Sequence, residues 1–152
     1  MTSSAAPRIL ALAALLVLVG IAPASALGSS SYEKQVVKAT NVYRADQDVI
    51  AVKHQACVDR WAESQARWMA KRGVLKHRDG RLGQIMKACK LTGASENIAW
   101  NYRSGTKAVR AWKNSPGHAR NMRAPTMRYI GVGAVKDGDG QWWVAQVFGT
   151  RK

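Results

Sequence analysis

Apolar residues recur at helical spacing through the first half of the chain and gather into β-like runs near its end. Val36, Ala39 and Tyr43 share one helical face with Val37 beside it, which predicts a helix from Tyr32 to about Asp46 with Ser31 as its N-cap. The pattern is stronger from Ala56 to Arg72. There Val58, Trp61, Ala62, Gln65, Ala66, Trp68 and Met69 trace a three-to-four repeat, and Gly73 stands where a glycine ends a helix. Both tryptophans read as core. Val74 to Arg78 reads as a short strand or extended segment, Asp79-Gly80 as a turn, and Leu82 to Lys90 as a short helix that brings Cys89 near its end. Asn97 to Tyr102 favours strand. Ser104-Gly105-Thr106 then caps a helix running to Lys113, and Ser115-Pro116 opens another ending near Arg123.

The clearest β signal comes last. Tyr129 to Lys136 and Gln141 to Gly149 flank Asp137-Gly138-Asp139-Gly140, which predicts one antiparallel hairpin. Gly131 and Gly133 occupy alternate positions of its first strand, so one face is bare and another element or a ligand can come close. Trp142 and Trp143 must face opposite ways, which leaves one of them open to exposure. Helices first, then strands with helices between, give an α+β domain rather than a doubly wound sheet.

Ahead of these elements, residues 1–26 have the layout of a secretory signal: Arg8, the apolar run Ile9 to Ile21, and the small-residue pattern Ala24-Ser25-Ala26. The run is short of the ~20 residues that span a bilayer, so a cleaved signal is expected rather than an anchor. Residues 27–31 form a short lead-in and 32–152 one domain, secreted and extracellular. In that oxidising setting the two cysteines, Cys57 and Cys89, have one possible connectivity, and a disulfide is the economical reading beside two buried free thiols. A zinc site made of both is disfavoured, because no C-x-x-C spacing is present.

The formal charge of +15, or +14 once Arg8 is lost, draws such a chain to polyanions. Its basic residues are scattered from Arg60 to Arg123 rather than gathered into a nucleic-acid motif, so anionic cell-wall polymers or a membrane surface fit an exported chain better than DNA. A merely solubilising surface is the plainer alternative.

Several short patterns follow one another in a particular order: Asn41-Val42-Tyr43-Arg44, the Cys57 helix, His77, Glu96-Asn97-Ile98-Ala99, Trp112-Lys113-Asn114-Ser115-Pro116-Gly117-His118-Ala119-Arg120-Asn121, Tyr129 to Gly133, and Trp142 to Gly149. In this order they resemble the CAP superfamily of cysteine-rich secretory, antigen-five and pathogenesis-related-one proteins, in particular its small bacterial exported members. The resemblance implies an α-β-α sandwich, with a small, largely antiparallel sheet between helical layers and a cleft on one side. It also implies that His77, Glu96 and His118 line this cleft and in many members hold a divalent cation; two imidazoles and a carboxylate suit zinc. Ser115 stands where eukaryotic relatives carry a glutamate, which removes one anionic ligand. His54 matches no site of the family and reads as a loop residue; Asn97 and Asn121 read as backbone-capping residues.

The mature chain has no Gly-x-Ser-x-Gly nucleophile motif, and Glu96 is its one acid with a motif-level claim, short of the two a glycosidase needs. The expectation is a non-enzymatic secreted domain that binds zinc or another divalent ion and a lipid or another small hydrophobic ligand, as the resemblance implies for some relatives. The alternatives are a metal-assisted hydrolase with Glu96 as base, and a basic adhesion protein for anionic envelope polymers.

Overall fold

The computed structural model describes Met1 and residues 28–151; the expected signal at residues 1–26 lies outside the described residues, Met1 apart. Five helices and four strands follow in the order α1 (Ser29–Ala45), β1 (Lys53–His54), α2 (Ala56–Arg72), α3 (Arg81–Cys89), β2 (Gly93–Trp100), α4 (Gly105–Lys113), α5 (Pro116–Arg123), β3 (Tyr129–Lys136) and β4 (Trp142–Thr150). The strands form one sheet in the order β1-β3-β4-β2, antiparallel except for the parallel β1–β3 pair. Helices α2 and α3 cover one face; α1, α4 and α5 pack on the other. This is the expected α-β-α sandwich.

Local chemistry sets the element ends. Ser104 accepts the Lys107 N–H at the start of α4, and Gln55 accepts the Val58 N–H at the start of α2. Gly73 ends α2 with φ of 62°, a left-handed conformation that glycine adopts without steric cost. α1 begins earlier than expected. Gly28 takes the N-cap position and its carbonyl accepts the Tyr32 N–H at 3.0 Å, so Ser31 lies inside the helix and most of the lead-in is helical. Val74 to Arg78 forms no strand, because its polar groups are held by α2 side chains instead.

The bare face of β3 is used by a helix. A Cβ at Gly131 or Gly133 would collide with the α2 backbone at Asp59 or Glu63, so the two glycines set how closely α2 lies on the sheet. Trp142 and Trp143 do face opposite ways, yet both are buried, because helices cover both faces. Trp100, on the edge strand, is the tryptophan that is open, at 42% exposure. His54 lies in strand β1 rather than a loop, and its Nε2 is 3.3 Å from Asp59 Oδ2.

Asn41 and Arg44 hold the α1 side together. Asn41 exchanges two hydrogen bonds with the Val52 backbone. The fully buried Arg44 guanidinium donates to the carbonyls of Ile50, Met122, Ala124 and Met127, fixing the segment that leaves α5. On the other side a Cys57–Cys89 disulfide ties the start of α2 to the end of α3. The loop it closes contains His77.

Candidate binding cleft

The α2–α3 connection is pinned by Gln65, a buried polar residue of α2. Its Nε2 donates to the Lys76 carbonyl at 2.7 Å, while Arg78 donates through Nε to Gln65 Oε1 and through Nη2 to Ser64 Oγ. His77, held between these anchors, is turned toward β2. There its Nδ1–H donates to Glu96 Oε1 at 2.8 Å. Glu96 Oε2 accepts from Arg81 Nε at 3.3 Å, and Arg81 donates further to the Trp61 carbonyl while stacking on the Trp61 ring. The Glu96 and Arg81 side chains are each 3% exposed, against 53% for His77. A buried acid is thus held by one buried and one open partner.

A second network ties β2 to α5 and α1. Asn121 donates to the Glu96 carbonyl and to Asn97 Oδ1; Asn97 donates to the His118 carbonyl and to Gln146 Oε1; Gln146 donates to Thr40 Oγ1. Asn97 and Asn121 are the backbone-capping residues expected of them. His118 is half-buried against Trp112, at 6.3 Å between ring centroids. Its pKa lies below the ordinary histidine value, first because burial disfavours the cation and then because His77 is close enough to repel it.

A cavity of about 540 Å³ wraps the free edge of β2, bordered by His77, Arg78, Arg81, Ser95, Glu96 and Asn121. His118 and Ser115 stand outside this lining; Ser115 serves as the N-cap position of α5. The expected set therefore divides: His77 and Glu96 touch, and His118 joins them through its backbone and its repulsion with His77. Arg78, Arg81 and Ser95 were missed. The signal was present as two arginines three residues apart, straddling the Asp79-Gly80 turn beside His77.

The donor set does not fit a three-ligand metal centre. Both oxygens of Glu96 are engaged, by His77 and by Arg81, and two guanidiniums border the cavity. Among the described residues no group of three His, Cys, Asp or Glu side chains is arranged to hold a metal ion.

A second concavity, about 600 Å³, runs between α1 and α4. Ala39, Val42, Tyr43 and Val109 line it, with Lys38, Arg110 and Lys113 among the polar residues of its lining. Val42 is 55% exposed there.

Comparison with known proteins decides the ancestry of this architecture. The model of the cysteine-rich secretory protein family, CAP, matches residues 37–148. The chain belongs to that family. This CAP domain is 31% identical over 125 residues to the Bacillus subtilis (strain 168) protein YkwD, covering 79% of the chain and 48% of YkwD, so it spans about half that relative's length. Among solved structures it is similar to an outer surface protein from Borrelia burgdorferi, with TM-score 0.71 and 20% identity over 78% of the chain and 92% of that structure. It is also similar to an extracellular protein containing an SCP domain from Bacillus anthracis str. Ames, with TM-score 0.69 and 24% identity over 82% and 41%. The CAP match takes in the whole β2-edge cleft and the α1–α4 groove apart from Gln35.

Proposed function

We propose that this CAP domain acts outside the cell as a non-enzymatic binding module, with the His77–Glu96 cleft as the site for a small polar ligand. The observation that carries the reading is the state of Glu96: its two oxygens already accept hydrogen bonds from His77 and Arg81. A general base must be free to take a proton from a substrate or a water within hydrogen-bond reach. Glu96 is instead a fixed, charge-compensated wall, which makes a hydrolase the weaker reading. With Nδ1–H donating to Glu96, the second ring nitrogen of His77, Nε2, has no hydrogen-bond partner among the described residues.

The apolar part of the expected ligand fits the α1–α4 groove better than the cleft. Its lining of Ala39, Val42, Tyr43 and Val109 suits an acyl chain, and Lys38, Arg110 and Lys113 suit an anionic head group. No helix among the described residues is long and apolar enough to cross a membrane.

The test is binding of an envelope extract from the producing cells to immobilised protein, with the bound fraction analysed for lipid and polar components. The His77→Ala change is expected to reduce the polar fraction and leave the lipid fraction. Retention of both fractions by His77→Ala at low salt, lost at high salt, would remove the cleft from the account and leave adhesion by the basic surface.

A further inference from the structure

We infer that the connection between α2 and α3 is a docking surface for an anionic lipid bilayer, in which Val74, Leu75 and Leu82 enter the headgroup layer and the cations around them meet its phosphates. The inference goes beyond the cleft and asks nothing of the cleft's ligand. Three observations carry it.

The first is what this segment leaves in water. Val74 is 38% exposed and Leu75 47%, two consecutive apolar side chains, and Leu82 in the first turn of α3 is 38% exposed. Apolar residues exposed singly need no explanation, whereas three on one short segment mark a surface that meets something. The second is that the segment is held in place. The Val74 N–H donates to the Met69 carbonyl at the end of α2, the Lys76 carbonyl accepts from Gln65, and Arg78 donates to Gln65 and Ser64. The backbone on each side of the apolar pair is therefore anchored to α2, so docking costs little ordering of the chain.

The third is charge. Residues 71–90 hold seven lysines and arginines against one acid, Asp79. Lys71, Arg72, Lys76, Lys87 and Lys90 are exposed. Arg72 and Arg78 both lie over the Trp68 ring, at 5.4 and 5.5 Å, which keeps their charge beside the end of α2. Asp79 offsets little of this, because its side chain is 96% exposed and 3.9 Å from Lys76 Nζ, a solvent-screened pair. Cations alone would suit any polyanion. The apolar side chains decide the partner: a soluble polymer leaves them in water, while a bilayer interface takes them up as its anionic headgroups meet the cations.

The experiment is co-sedimentation of the chain from residue 27 onward, so that the apolar run Ile9 to Ile21 takes no part. The vesicles are phosphatidylcholine with or without phosphatidylglycerol, at low and raised salt. Thermal melts accompany each variant and should stay near wild type, since all the changes are at exposed positions. Wild type is expected on the phosphatidylglycerol vesicles and not on phosphatidylcholine alone. Val74→Ser with Leu75→Ser should weaken binding about tenfold, the scale of leaving one apolar side chain in water. Lys71→Gln with Lys76→Gln should weaken it at least about tenfold at low salt, a difference that shrinks as salt is raised. Val42→Ser, and Lys38→Gln with Lys113→Gln, make the same kinds of change in the α1–α4 groove and should match wild type. Absence of binding to phosphatidylglycerol vesicles, or full binding by Val74→Ser with Leu75→Ser, would overturn the inference. An equal loss in the groove variants would do so too, by moving the docking to the groove. Two further results contradict a bilayer: capture of soluble dextran sulfate without capture of vesicles makes the partner a polymer, and self-association abolished by the apolar change, again without vesicle binding, makes it a second copy of the chain.

Discussion

The β2-edge cleft and the α1–α4 groove have similar volumes, about 540 and 600 Å³, yet opposite construction. In the cleft, polar side chains from α2, the α2–α3 connection, α3, β2 and α5 are locked to one another, and the acid at the centre is buried. In the groove, Val42 of α1 is left 55% exposed among the cations Lys38, Arg110 and Lys113. The cleft obtains its shape from hydrogen bonds that would each be costly to break, whereas the groove obtains it from a gap in packing. A change in the first should therefore cost stability, and a change in the second should cost only binding.

Arg81→Met is the most severe way to break this contrast. It leaves the Glu96 carboxylate buried with His77 as its remaining partner, and removing one member of a buried pair costs about 3–5 kcal/mol. Urea denaturation should show that loss; a midpoint unchanged from wild type would mean that Glu96 is not held as described. Next in size is the double change Cys57→Ser with Cys89→Ser. Opening a loop of 32-residue separation should cost roughly 3–4 kcal/mol in the chain-entropy model, and retention of polar envelope components should fall with it while groove binding persists. Equal losses at both sites would show that the two are not mechanically separate.

For the groove, Val42→Glu places a charge at an exposed apolar position. Stability should stay within about 0.5 kcal/mol of wild type, while binding of a medium-chain fatty alcohol, followed by tryptophan fluorescence, should weaken about tenfold, or roughly 1.4 kcal/mol. Unchanged binding would move the apolar site elsewhere. The smallest effect concerns pH. His118 has a folded-state pKa below the ordinary 6.5, so the folded state favours its neutral form. The stability linked to that form is complete above the ordinary value and is lost as pH falls through the lower folded pKa. In His118→Gln that part of the acid-side decline, read from midpoints across the series, should disappear.

Much of this fold was readable from side-chain spacing. The α2 pattern gave its ends, the Ser104 and Ser115 positions gave the starts of α4 and α5, and the alternate glycines of β3 foretold a close neighbour. The neighbour proved to be α2. What escaped had physical reasons. The two-residue β1 has no periodicity to detect, and it is placed by parallel pairing with β3 at Tyr129 and Ile130. Both hairpin tryptophans are buried because helices cover the sheet on each side, a tertiary fact absent from local pattern.

The cleft was legible as His77 with Glu96, and only in part beyond them. Glu96 was expected to serve a cation, but Arg81 reaches its second oxygen across 15 positions of sequence, which no local spacing could reveal. Ser95 gave no signal at all.

The separation of a polar from an apolar site is tested most directly by mapping backbone amide shifts in two titrations, one with the polar fraction of an envelope extract and one with an uncharged medium-chain fatty alcohol. The polar fraction should move the amides of His77, Arg81 and Glu96 and leave Ala39, Val42 and Val109 in place, and the alcohol should do the reverse. If both ligands shift the same set of amides, or if neither gives a saturable response, the account of two sites with opposite chemistry is wrong.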